Sequence, residues 1–94
     1  MSETKALHLW VAGDVQGVGF RAYTAAIARN LRLTGWVRNL PNGQVEIWAE
    51  GPEAALKALW QAVYEGPPAA TVEQVQGGWV QPTETYTTFS ITYR

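Results

Sequence analysis

The sequence predicts an α+β protein with the element order βαββαβ. Three observations carry that prediction. Apolar and polar residues alternate in several short segments, apolar residues recur every three or four positions in two others, and glycine or proline marks the changes of period. Residues 6–12 open the chain as a half-buried strand, with Leu7, Leu9 and Val11 on one side and His8 and Trp10 on the other. From Phe20 the period lengthens: Phe20, Tyr23, Ile27 and Leu31 define the apolar stripe of a first helix. Residues 36–40 and 45–49 form two strands around Pro41-Asn42-Gly43, where proline presets φ and glycine accepts a positive one. In the second of these, Val45, Ile47 and Ala49 face one way and Glu46, Trp48 and Glu50 the other.

Gly51-Pro52-Glu53 starts a second helix, with proline expected at its first position and glutamate favoured by the helix dipole. Leu56, Leu59, Trp60 and Val63 supply its buried stripe, and Glu65-Gly66-Pro67-Pro68 stops it. Residues 72–80 and 89–93 complete the strands. Gly77-Gly78 within 72–80 suggests a bulge or an early break, and residues 81–88 read as a loop. The order is that of a ferredoxin-like sandwich: one mostly antiparallel sheet with both helices on one face.

Composition bounds what such a domain does. At 94 residues the chain makes one domain, and 47% hydrophobic against 16% charged residues gives it a core to bury. A net charge of −1 argues against nucleic acid, which selects a basic face. No apolar run approaches the roughly 18–20 residues of a membrane span, and no signal-like segment precedes Lys5. Without cysteine there is no disulfide, thiol nucleophile or thiolate metal site. A soluble, cytoplasmic monomer is the expectation.

The stretch from Gly13 to Arg21, GDVQGVGFR, concentrates the chemistry. Three glycines between a strand and a helix let consecutive N–H groups point into one concavity, and an arginine stands at its edge. Such a nest at a helix N-terminus suits a phosphoryl or carboxylate group. An ordinary structural turn would use the same glycines, so the loop alone leaves both readings open. Gly17-Val18-Gly19-Phe20-Arg21-Ala22 matches a relaxed dinucleotide pattern, but no acidic residue follows until Glu46. The Gly-Lys-Ser/Thr of a Walker loop is missing as well.

A second segment, Gly35-Trp36-Val37-Arg38-Asn39 followed by Leu40-Pro41-Asn42-Gly43, completes the pattern. Together with Val15-Gln16-Gly17-Val18-Gly19-Phe20-Arg21 it closely resembles the acylphosphatase family. The likeness runs on through Gly51-Pro52-Glu53, the second helix and Phe89-Ser90-Ile91. It implies the same ferredoxin-like fold, as a single acylphosphatase-like domain over residues 1–94. It further implies hydrolysis of small carboxyl phosphates such as acetyl or carbamoyl phosphate. In the family's motif the phosphate-binding arginine falls on Arg21 and the water-positioning asparagine on Asn39. The loop Val15, Gln16, Gly17, Val18, Gly19 and Phe20 would hold the phosphoryl oxygens, and inorganic phosphate or sulfate would occupy it equally.

The remaining side chains agree with an undemanding reaction. A lone strand histidine, His8, reads as a surface residue, and Asp14, Glu46, Glu50 and Glu53 are too scattered for a metal site. Ser2 and Ser90 have no base beside them in the sequence. A site of backbone amides, one arginine and one asparagine needs a good leaving group, and a carboxylate is one. Neither metal nor cofactor is expected. Arg38 reads as a solvent-facing charge, and Trp10, Trp36 and Trp48 as packing or exposed aromatic surface rather than an RNA-stacking platform. Two other classes remain: a phosphate or carbamoyl-phosphate binding module, as in larger maturation proteins, and an interaction domain for RNA or a regulator. A chain starting at Met1 and retaining Arg21 and Asn39 favours the free enzyme. One departure from the family stands at Arg32, where glycine is usual after the first helix. It predicts either a strained Arg32 or a helix that ends differently, using Asn30.

Overall fold

A computed structural model describes residues 3–93; Met1, Ser2 and Arg94, and with them the expectations on Met1 and Ser2, lie outside the described residues. The elements run β1 (Lys5–Asp14), α1 (Phe20–Asn30), β2 (Thr34–Asn39), β3 (Val45–Gly51), α2 (Glu53–Glu65), β4 (Thr71–Val80) and β5 (Phe89–Ile91). They build one sheet in the order β4-β1-β3-β2-β5. Neighbouring strands are antiparallel except β2 and β5, which run parallel with Gly35 beside Phe89 and Val37 beside Ile91. The four-stranded part is the ferredoxin-like sandwich, and β5 extends its β2 edge.

Both helices cover the face that the alternation marked as apolar. Leu7, Leu9, Val11, Val37, Val45, Ile47 and Ala49 are fully buried there, against Leu56, Leu59 and Val63 of α2. Each large aliphatic side chain so buried contributes about 1.5–3 kcal/mol. The stripe of α1 differs from expectation: Phe20, Thr24, Ala25 and Ala28 are buried, while Ile27 and Leu31 are only partly covered. Small residues let α1 lie close on the sheet, and Tyr23 turns toward α2, where its hydroxyl donates to the Ala62 carbonyl at 2.8 Å. Pro52 is the N-cap of α2 in extended conformation, one residue before the position expected.

β4 is unbroken at Gly77-Gly78. A Cβ at Gly77 would stand 2.0 Å from the His8 carbonyl oxygen, so this glycine permits close strand approach. The bulge lies instead at Glu73, the extra residue between the pairs Ala12–Gln74 and Gly13–Val72. At the end of α1 the first of the two alternatives holds. Arg32 adopts φ 59, with its N–H bonded to the Arg29 carbonyl and the Leu33 N–H to the Ala28 carbonyl. That is a Schellman closure made with arginine in the left-handed position.

The other face of the sheet corrects two expectations. His8 is largely covered, its Nε2 2.7 Å from Glu46 Oε2 and its ring packed on Trp10, Trp36 and Trp48. Arg38 is not simply a solvent-facing charge: its Nε donates to Glu46 Oε1 at 2.7 Å and its guanidinium lies over Trp36. Alternation placed both side chains away from the core correctly, but a polar face can be roofed by its own aromatics. Residues 81–88 form the expected loop, and it crosses this face. There Glu50, 3% exposed, accepts from the Trp48 indole, the Thr83 amide and hydroxyl, and the Glu84 amide. Burial raises the Glu50 pKa, but those hydrogen bonds together outweigh it and hold the carboxyl below its ordinary value.

Candidate active site

Residues 15–19 turn the chain from β1 into α1. Val15 and Phe20, each 1% exposed, anchor the turn in the core, while Gly17 and Gly19 stay at the surface between them. Gly17 has φ 76 and Gly19 φ 81, both left-handed, and a Cβ on either would meet nothing within 4 Å. Space is therefore not what these positions demand. The requirement is conformational, and a non-glycine residue would cost about 1–2 kcal/mol at each.

Gly19 caps α1 without a side chain, and no acidic residue stands in the first turn. Among the described residues, none of the amides from Gly17 to Ala22 meets a protein acceptor. The partial positive charge of the helix end is thus left for a bound anion. Arg21 adds a full charge. Its guanidinium lies 4.9 Å from the centroid of the Tyr93 ring, a contact that limits where the side chain can swing.

Asn39 arrives from the opposite side, as the last residue of β2 and the partner of Val45. Its Oδ1 is buried without a hydrogen-bond partner among the described residues. Leaving such an oxygen unpaired costs about 1–3 kcal/mol, so the position suits an incoming donor. Gly17, Gly19, Arg21 and Asn39 line one pocket of about 190 Å³, closed on its far wall by Ile91 and Tyr93. Of the expected site residues, Val15, Gly17, Gly19, Phe20, Arg21 and Asn39 line that pocket. Val18 packs partly buried against the core instead.

The side chain of Gln16 is directed to the next turn. Its Nε2 donates to the Leu40 carbonyl at 2.8 Å and to the Gln44 carbonyl at 2.9 Å. Ile91 and Tyr93 were not anticipated at the site; only their alternation after Phe89 hinted at a shared face. Wider concavities lie elsewhere, among them one beside Trp79 and Glu84 and one beside Trp36 and Tyr86. Neither unites an amide nest with an unpartnered polar atom. Among the described residues, no three of His, Asp and Glu stand close enough to share a metal ion.

Residues 7–91 match the family model described as Acylphosphatase. An acylphosphatase of Marinobacter nauticus is 51% identical over 86 residues, which cover 92% of this chain and 94% of its own. The crystal structure of an acylphosphatase from Bacillus subtilis aligns with a TM-score of 0.90 at 40% identity, over 97% of this chain and 100% of that one. A similar unit occurs in full-length HypF, a structure in phosphate- and nucleotide-bound form. There the TM-score is 0.86 at 29% identity, over 98% of this chain but only 12% of that one.

Proposed function

The chain belongs to the acylphosphatase family, and on that premise we propose that the 15–20 loop and Arg21 hold a phosphoryl group while Asn39 holds the attacking water. It is a hydrolase of carboxyl–phosphate anhydrides, releasing a carboxylate and inorganic phosphate. One observation supports the assignment of roles: Asn39, whose Oδ1 is buried without a partner among the described residues, lines the same pocket as Gly17, Gly19, Arg21 and Ala22.

In the proposed cycle the phosphoryl oxygens sit among those amides and the Arg21 guanidinium. There the fixed dipoles stabilise negative charge on the group in transfer. Asn39 Oδ1 accepts one hydrogen bond from the water and so fixes it in line with the scissile P–O bond. A new P–O bond forms to the water oxygen as the bond to the acyl oxygen breaks. The electron pair leaves with the carboxylate, a weak base that needs no general acid. Asn39 is too weak a base to keep a proton, so the water's proton passes to a phosphoryl oxygen. No step calls for a metal ion.

A cytoplasmic location accompanies the substrate class, since acyl phosphates are labile and form where phosphoryl donors are made. A phosphate-binding module without turnover is the second reading, favoured by the similar unit within HypF.

Hydrolysis of benzoyl phosphate in EDTA separates them. Wild type is expected to turn over, Arg21→Gln to lose about 10³-fold or more in kcat/KM, and Asn39→Ala to lose mainly kcat with inorganic phosphate still competing. No wild-type turnover, with phosphate still bound, would leave the binding module. Loss of phosphate affinity in Asn39→Ala would overturn the division of roles.

A further inference from the structure

We propose that Gln16 is a positioning residue: its side chain locks the phosphate-binding loop to the turn that carries Asn39, and so sets the water against the phosphoryl group. The inference rests on the assignment of Asn39 to the water. Both protons of one amide nitrogen are committed, at 2.8 Å to Leu40 O and at 2.9 Å to Gln44 O. Those two carbonyls close the β2–β3 turn from either side. Leu40 N donates to Gln44 O at 2.8 Å and Gly43 N to Leu40 O at 3.1 Å. Asn39 and Val45, the next pair along the ladder, immediately follow this clamp.

The turn is stiff in its own right. Pro41 limits φ, Gly43 takes φ 92, and the Asn42 side chain bonds both the amide and the side chain of Gln44. A stiff turn gripped at its base has little freedom to shift relative to the gripping residue. Gln16 itself lies between Val15, which is anchored in the core, and Gly17, whose amide faces the pocket. The side chain therefore joins the two halves of the site directly, in addition to their link through Val45 of β3.

In-line attack is sensitive to this distance, since a displacement near 1 Å costs about 10²-fold in rate. Phosphate affinity is not, because the amides and Arg21 all lie on the loop side of the joint. Loss of the clamp should therefore lower kcat and spare binding. The fold should survive, because each carbonyl keeps its backbone donor.

Four proteins test this with benzoyl phosphate, with inorganic phosphate as competitor: Gln16→Met, Gln16→Lys, Asn39→Ala and the Gln16→Met/Asn39→Ala double variant. Near-UV circular dichroism at the assay temperature verifies the fold. Gln16→Met, similar in length and without donors, is expected to lose about 10–10² in kcat while phosphate inhibition is unchanged. Gln16→Lys restores two donors and should recover part of that loss. In the Asn39→Ala background Gln16→Met should cost nothing further, because its effect passes through Asn39. Multiplying losses in the double variant, or phosphate affinity falling in step with kcat, would overturn the role of Gln16 alone. Undiminished turnover in Asn39→Ala would remove the premise and the proposal with it.

Discussion

The two ends of β3 treat backbone amides in opposite ways. At its Glu50 end the chain folds its own anion inward, and the amides of Thr83 and Glu84 are spent on that carboxylate. At its Val45 end the amides of Gly17 to Ala22 have no acceptor among the described residues, and the Oδ1 of Asn39, the partner of Val45, is buried with none either. The same chemistry, N–H groups gathered around a negative charge, is closed in one place and open in the other. The closed version stabilises the fold, and its cost was met when the chain folded. An open version leaves its donors to water or to a bound anion, which is why we propose it as the site.

The largest expected effect tests the open end. Gly19→Val forces a β-branched residue into φ 81, where nothing crowds its side chain. Turnover of benzoyl phosphate should fall at least about 10²-fold, the scale of losing one oxyanion donor. Stability should fall by only about 1–2 kcal/mol, and added phosphate should no longer raise Tm. A Tm that still rose with phosphate would show that the amides are not the anion's partners.

Glu50→Gln tests the closed end. It should cost about 1–3 kcal/mol of stability, read by denaturant melts, and leave turnover unchanged. A fall in kcat would mean that the two ends of β3 are coupled. The pH dependence follows from the lowered pKa of Glu50. The folded carboxyl binds a proton less readily than the unfolded one, so its contribution is complete above the ordinary value of 4.5. It is lost as the pH falls through the lowered folded value, and the gap between wild type and Glu50→Gln should close there.

The smallest effect concerns the other end of α1, whose N-terminus builds the site. Arg32→Gly relieves φ 59 and should stabilise the chain by about 1 kcal/mol, or about 4–8 °C in Tm. Turnover should not change. A lower Tm would mean that the Arg32 side chain contributes more than its backbone costs.

The aliphatic face of the sheet was legible because its period is a one-dimensional property: Leu7, Leu9, Val11 and Val45, Ile47, Ala49 need no partner to announce a buried side. So was the loop, whose glycines serve backbone angles. Arg21 and Asn39 were singled out because a family motif marked them, and the pocket that both line depends on strand register. The opposite face was read too blandly. Nothing local shows that Glu46 will sit between His8 and Arg38, since those residues meet only when β1, β2 and β3 pair. The side-chain bonds of Gln16 were not anticipated, because backbone carbonyl partners leave no trace in sequence pattern.

The crossing of residues 81–88 has a further consequence. β4 and β5 lie at opposite margins of the sheet, so one connection must traverse its whole width. Four interstrand gaps make about 19 Å, and nine extended peptide steps reach only about 30 Å. Part of that reach is spent climbing over Trp48 and Glu50. The segment is a strap with some slack, part of it taken up where Glu84 adopts φ 57 and Thr83 bonds Thr85. The strap thereby seats the three-residue β5 beside β2, at the margin farthest from β4.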